Sequence, residues 1–129
     1  MNDFNVGIRH IERVTVFDVQ GYLDAHTAPA LEQAFVNAID GKQYNLVVNF
    51  RDLAYISSAG LGVLMQFIED VRKNDGDIKL TNMSSRVYNV FDLLGFPMLY
   101  EIYPEEKEAL EKYRNNVPEP PYQKPGSEE

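Results

Sequence analysis

Apolar and polar residues alternate at the start of the chain, and the spacing then lengthens to that of a helix. Phe4, Val6 and Ile8 share one face of a period-two segment over Phe4 to Arg9, and Arg9-His10 leads into a turn. Val14-Thr15-Val16-Phe17-Asp18-Val19 is rich in β-branched residues and stops at Gly21, so the two segments predict a hairpin. Leu31, Ala34, Phe35, Ala38 and Ile39 then fall on one helical stripe. Thr27 is placed to cap the first amides of that helix, Pro29 is tolerated in its first turn, and Gly41 ends it as a residue tolerant of positive φ.

Leu46-Val47-Val48-Asn49-Phe50 is a short, nearly unbroken apolar run, which suits a strand covered on both faces. A loop is expected from Arg51 to Ile56. A second helix starts around Ser57-Ser58, carries Leu61, Leu64, Phe67 or Ile68, and Val71 inward, and stops at Asn74-Asp75-Gly76. Asp77 to Leu80 reads as a fourth strand. Ser84 or Ser85 caps a third helix with Val87, Val90, Phe91 and Leu94 inward and Gly95 past its end. Leu99 to Tyr103 reads as a fifth strand, and Pro104 opens a last helix from Glu105 to about Lys112. The order ββαβαβαβα predicts an α/β layered domain over residues 1–112 with right-handed crossovers. Residues 113–129 hold Pro118, Pro120, Pro121 and Pro125 among polar residues, the composition of a disordered tail.

Composition narrows the chemistry. Twelve Lys and Arg against 20 Asp and Glu leave a formal charge of −8. That balance argues against nucleic acid, whose phosphates need clustered cations. The absence of cysteine removes disulfides, thiolate nucleophiles and Cys-based metal sites, and fits a reducing, cytoplasmic setting. No apolar run approaches the ~20 residues that span a bilayer, and Met1-Asn2-Asp3-Phe4 lacks the features of a signal peptide.

Catalytic patterns fail in turn. Gly60-Leu61-Gly62 might open a dinucleotide loop, but Met65 stands where a third glycine is needed. The nucleophile elbow lacks its first glycine, since Ile56 lies two residues before Ser58. His10 reads as a solvated hairpin residue and His26 as a polar residue before a helix, neither at metal-ligand spacing. Glu105, Glu106 and Glu108 suit the positive end of a helix. No catalytic residue, metal ligand or cofactor is expected.

One locus stands apart, Asp52 to Gly62, between the central strand and the second helix. Sites in open α/β sheets gather at the carboxyl ends of strands, and small residues at 57–60 leave this helix end open. Taken by itself, Ser58 is best explained as a helix cap worth ~1 kcal/mol. A phosphate there would instead meet free backbone amides and add about −1.5 to −2 charges at pH 7.

Asp52-Leu53-Ala54-Tyr55-Ile56-Ser57-Ser58-Ala59-Gly60-Leu61-Gly62 closely resembles the signature of the STAS domain of bacterial anti-sigma factor antagonists. Gly21-Tyr22-Leu23-Asp24-Ala25-His26-Thr27-Ala28 resembles that family's approach to its first helix. Leu46 to Phe50 resembles its central strand, and Val87 to Phe96 its third helix. The resemblance spans residues 4 to about 112 and implies a mixed sheet of about five strands with helices packed against it.

It also implies a partner switch. The unmodified antagonist binds an anti-sigma factor that is a serine kinase of the histidine-kinase-like ATPase type, so sigma is freed. Phosphorylation breaks the complex, and a PP2C-type phosphatase restores it. The acceptor position falls on Ser58, ahead of Ser57, which stands where many members have Asp. Asp24, Ser57, Ala59, Gly60 and Leu61 are the implied partner contacts. The alternative is a STAS scaffold or ligand-binding subunit of a transport or stress-signalling complex, in which Ser58 is only a cap.

Overall fold

The computed structural model describes residues 4–115, so residues 116–129 of the expected tail lie outside the described residues. Residues 113–115, expected in that tail, instead end the last helix, because Tyr113 is buried against the sheet. The elements are β1 (Asn5–Ile11), β2 (Val14–Leu23), α1 (Ala28–Asp40), β3 (Asn45–Ile56), α2 (Ser58–Lys73), β4 (Asp77–Thr81), α3 (Ser85–Leu93), β5 (Ile102–Tyr103) and α4 (Glu106–Asn115). They make one sheet in the order β1-β2-β3-β4-β5, antiparallel between β1 and β2 and parallel elsewhere. The hairpin, the order of elements and the mixed sheet are those read from the sequence.

Both faces of β3 are covered, as its apolar run requires. Leu46, Val48 and Phe50 join the main core with Leu31 and Phe35 of α1, Leu64 and Val71 of α2, and Val87 and Phe91 of α3. Val47 points the other way, into a smaller cluster with Val14, Val16, Ala109 and Tyr113, which α4 closes. Tyr113 ties α4 down: its hydroxyl accepts from the Leu46 amide at 3.1 Å and reaches the Leu46 and Asp77 carbonyl oxygens, each at 2.6 Å. Lys79 is buried on the same face, with its ammonium 3.0 Å from Asp77, 2.8 Å from Glu101 and 4.6 Å from the Tyr113 ring centre.

Several expectations are corrected. β2 runs through Gly21 to Leu23, because Gly21 takes φ 95° in a bulge instead of ending the strand. β3 continues from Arg51 to Ile56 where a loop was expected, pairing with Gln20 to Leu23 of β2. Gly41 has φ −86°, and the left-handed turn after α1 is taken by Lys42 at φ 59°. Thr27 does occupy the cap position of α1, but its hydroxyl donates to the Tyr22 carbonyl and accepts from the Asp24 amide, and it accepts from no helix amide. Leu94 lies just past α3 and is 59% exposed, because the helix stops one residue before the stripe reaches it. The fifth strand is only Ile102–Tyr103, since Phe96–Met98 form a 3-10 turn that drives Phe96 and Tyr100 into the core. Ser84 is the cap of α3, its Oγ accepting from the Val87 amide at 3.2 Å, and Gly95 follows at φ 77°.

Candidate functional site

Beyond Phe50 the sheet narrows. β4 pairs with β3 only from Asn45 to Asn49, whereas β2 stays with β3 to the Leu23–Ile56 pair. The end of β3 is therefore a two-stranded ribbon rising above the five-stranded body. One hydrogen bond closes it, from the Ser57 amide to the Leu23 carbonyl oxygen at 2.9 Å. Asp24 follows one strand and Ser57 the other, so two segments far apart in sequence meet at one edge.

Asp24 organises its own turn. Its Oδ1 accepts from the His26 amide at 2.9 Å and the Thr27 amide at 3.2 Å, and its carbonyl oxygen accepts from the Ala28 amide at 2.7 Å. This is an Asx turn leading into α1, and it serves as the start signal that Thr27 alone was expected to give.

On the second strand, Ser57 is the N-cap of α2, in extended backbone at φ −107° and ψ 176°. Ser58 is the first residue of the helix itself. The expectation that Ser58 caps α2 is corrected: the cap position belongs to its neighbour, and neither serine makes a side-chain cap bond. The Ser57 Oγ is buried without a partner, whereas Ser58 is exposed. The first intrahelical bonds run from the Gly60 and Leu61 amides to the Ser57 carbonyl oxygen, at 3.0 and 3.2 Å. The amides of Ser58 and Ala59 precede them, at the positive end of a 16-residue helix.

Gly60 and Leu61 are buried, and Ala59 is half-buried. Of the implied contacts, Asp24, Ser57 and Ala59 lie at the edge, while Gly60 and Leu61 act from beneath. A Cβ at Gly60 would lie 2.6 Å from Leu23 Cγ and 3.1 Å from Ile56 Cγ1. Glycine thus lets the first turn of α2 press onto both strands of the ribbon, and that approach holds Ser58 at the surface.

Sequence reasoning missed a second polar assembly lower on the opposite face. Arg9 donates to both oxygens of Asp18, at 2.5 and 2.8 Å, and to both of Glu106, at 3.1 and 2.6 Å. Asn49 adds a bond to Glu106 at 2.9 Å. Hydrogen bonds from Arg9 hold the Glu106 carboxyl below its usual range, against the opposing effect of burial and with help from Asn49. Glu106 was expected only to favour a helix end; it also fastens α4 to β1. Residues 97 apart carry no local signal of such a contact.

Among the described residues, no group of three or more His, Cys, Asp and Glu is placed to hold a metal ion. His10 lies in β1, its Nδ1 3.3 Å from Thr15 Oγ1, and His26 is exposed. No described helix is long and apolar enough to cross a membrane.

Known proteins resemble this chain in sequence and fold. The STAS domain family matches residues 5–109. The anti-sigma-B factor antagonist of Bacillus subtilis (strain 168) is 29% identical over 100 residues, covering 78% of this chain and 91% of that protein. The crystal structure of an anti-sigma factor antagonist from Mycobacterium paratuberculosis superposes with a TM-score of 0.80 at 26% identity, covering 87% of this chain and 95% of the other. The anti-sigma factor antagonist SpoIIAA in its unphosphorylated form shares the fold at TM-score 0.76 and 23% identity, over 88% of this chain and all of that one. With the family pattern extending from β1 into α4, and the Ser57–Gly60 turn set at the strand ends, this chain belongs to the STAS domain family.

Proposed function

We propose that this chain is an anti-sigma factor antagonist whose complex with an anti-sigma factor is switched by phosphorylation of Ser58. The observation that carries this is the placement of Ser58: exposed, first in α2, and not used as its cap. The relatives named anti-sigma factor antagonists supply the partner class. The anti-sigma factor is read as a serine kinase of the histidine-kinase-like ATPase type, reset by a PP2C-type phosphatase, with the switch working in the cytoplasm. The chain itself performs no catalysis in this reading; its hydroxyl is the substrate.

The physics of release is a cost of desolvation. Unmodified, the turn offers a neutral hydroxyl between small residues, which a partner can cover closely. After modification the same contact must bury about −1.5 to −2 charges without a built counter-charge. The neighbouring helix amides favour phosphate on the free chain, so the modified protein stays folded. A loss of about 4 kcal/mol at the interface weakens binding roughly a thousandfold.

The test is incubation with candidate ATPase-type kinases and ATP, reading the modified residue by mass spectrometry and the complex by pull-down. Ser58→Ala binds and takes no phosphate; Ser58→Asp fails to bind; Ser57→Ala is still phosphorylated. If Ser58→Ala and Ser58→Asp both bind like the parent chain, the switch is refuted. Phosphate on Ser57 instead would move the acceptor to the cap position.

A further inference from the structure

We propose that Tyr22 and Tyr55 form an aromatic anchor on which the anti-sigma factor seats a guanidinium or ammonium group; this rests on the partner reading above. The two tyrosines face each other across the ribbon, in register as a β2–β3 pair. Their ring centres are 5.6 Å apart with planes inclined by 34°. Each is half in solvent, Tyr22 at 50% and Tyr55 at 47%.

This exposure is built into the backbone. Leu23 and Ile56, the next residues, are 0% and 5% exposed and point into the core with α1 and α2. Alternation along the strands therefore turns both rings to the other face. The register shift between Gly21 and Tyr22 sets that alternation locally. On this face α4 covers Val14, Val16 and Val47, and Glu106 in its first turn bonds Asn49. Above that point the ribbon carries two large rings with no described element over them.

The chemistry of the occupant follows from the charges nearby. One polar hollow of this face is lined by Asp18, Asp52 and Glu106 with Arg9 and Arg51. The guanidinium of Arg9 is already engaged by Asp18 and Glu106. Asp24 lies two residues beyond Tyr22. The faces of two half-exposed rings attract a cation, and the chain as a whole carries −8. An arginine of the partner, laid flat on the rings, supplies that charge.

Continuity fixes which partner this is. Tyr55 precedes Ser58 by three residues, and Tyr22 precedes Asp24 by two, on the strands that the Ser57–Leu23 bond joins. A protein that covers Ser58 and reaches over the end of the ribbon meets the tyrosine pair. The anchor would supply affinity that does not depend on the phosphate, and Ser58 would decide whether that affinity is used.

The test uses the full chain and the ATPase-type anti-sigma kinase, from the same organism, that phosphorylates it. Dissociation constants are measured by titration calorimetry. Tyr22→Ala with Tyr55→Ala is expected to bind at least 30-fold more weakly, about 2 kcal/mol at 1.4 kcal/mol per tenfold. Phenylalanine at both positions restores most of the affinity, since the ring faces remain. Thermal unfolding checks that the alanine pair is folded; should it not be, Tyr22→Lys, which places a like charge in the cation's path, carries the test with the same expected loss. An alanine pair, or a Tyr22→Lys variant, that folds and binds within threefold of the parent overturns the anchor and leaves the Ser58 switch standing. If no such kinase binds or modifies the parent chain, the partner reading itself falls, and the anchor with it.

Discussion

Two glycines of α2, only two residues apart, offer a test of how the ribbon is held. At Gly60 an added Cβ lies 2.6 Å from Leu23 Cγ, 2.8 Å from Leu23 Cδ2 and 3.1 Å from Ile56 Cγ1; at Gly62 nothing lies within 4 Å. Alanine gains about 0.5–1 kcal/mol of helix propensity at either position. At Gly62 that gain stands alone, so Gly62→Ala should stabilise the domain by about that amount. At Gly60 the new methyl must displace Leu23, which is fully buried and has no open direction. Overpacking of this kind costs about 1–3 kcal/mol. Propensity cancels between the two variants, so their difference isolates the contact, and Gly60→Ala should be less stable than Gly62→Ala by about 1–3 kcal/mol. Urea unfolding followed by circular dichroism measures it: with m of about 1–3 kcal/mol/M, the midpoints should separate by roughly 1 M. Coincident midpoints would refute the view that close approach, not conformational freedom, accounts for glycine at position 60.

Two further expectations concern the opposite face. The folded Glu106 carboxyl lies below its ordinary value of 4.5, chiefly through Arg9. Its contribution is therefore fully present above about pH 4.5 and is lost as pH falls through the lower folded value. Glu106→Gln should be less stable at neutral pH and show a shallower loss of stability below about pH 4.5; parallel acid-unfolding curves would argue against the Arg9 contact. Tyr113→Phe removes the hydroxyl that joins α4 to Leu46 and Asp77, for a loss of about 1–2 kcal/mol in the same urea assay. An unchanged midpoint would show that apolar packing alone holds α4.

The body of the sheet was legible because burial there follows the residue pattern. Leu46 to Phe50 are apolar or buried on both faces, and the stripes of α1 and α2 meet the core as their spacing requires. The ribbon was not legible. Arg51, Asp52, Ala54 and Tyr55 are exposed, and bulges break the period-two alternation, so nothing in the local pattern marked Arg51–Ile56 as strand. Leu94 failed for the opposite reason, since a good stripe continued past the end of its helix. The Ser57–Ser58 turn was singled out through resemblance, and the two serines differ as cap and first helical residue only once the backbone is known.

The ribbon also bears on how such a surface can diversify. Strand pairing along its outer part involves only β2 and β3, and its solvent-facing side chains leave the five-stranded body untouched. In the proposed complex, substitutions at Tyr22, Ala54 or Tyr55 change what the partner meets and leave the packing of Leu23, Gly60 and Ile56 beneath in place. On the proposed function, recognition can change along the outer ribbon while the interior beneath it stays the same, so that partner choice and stability are set by different residues.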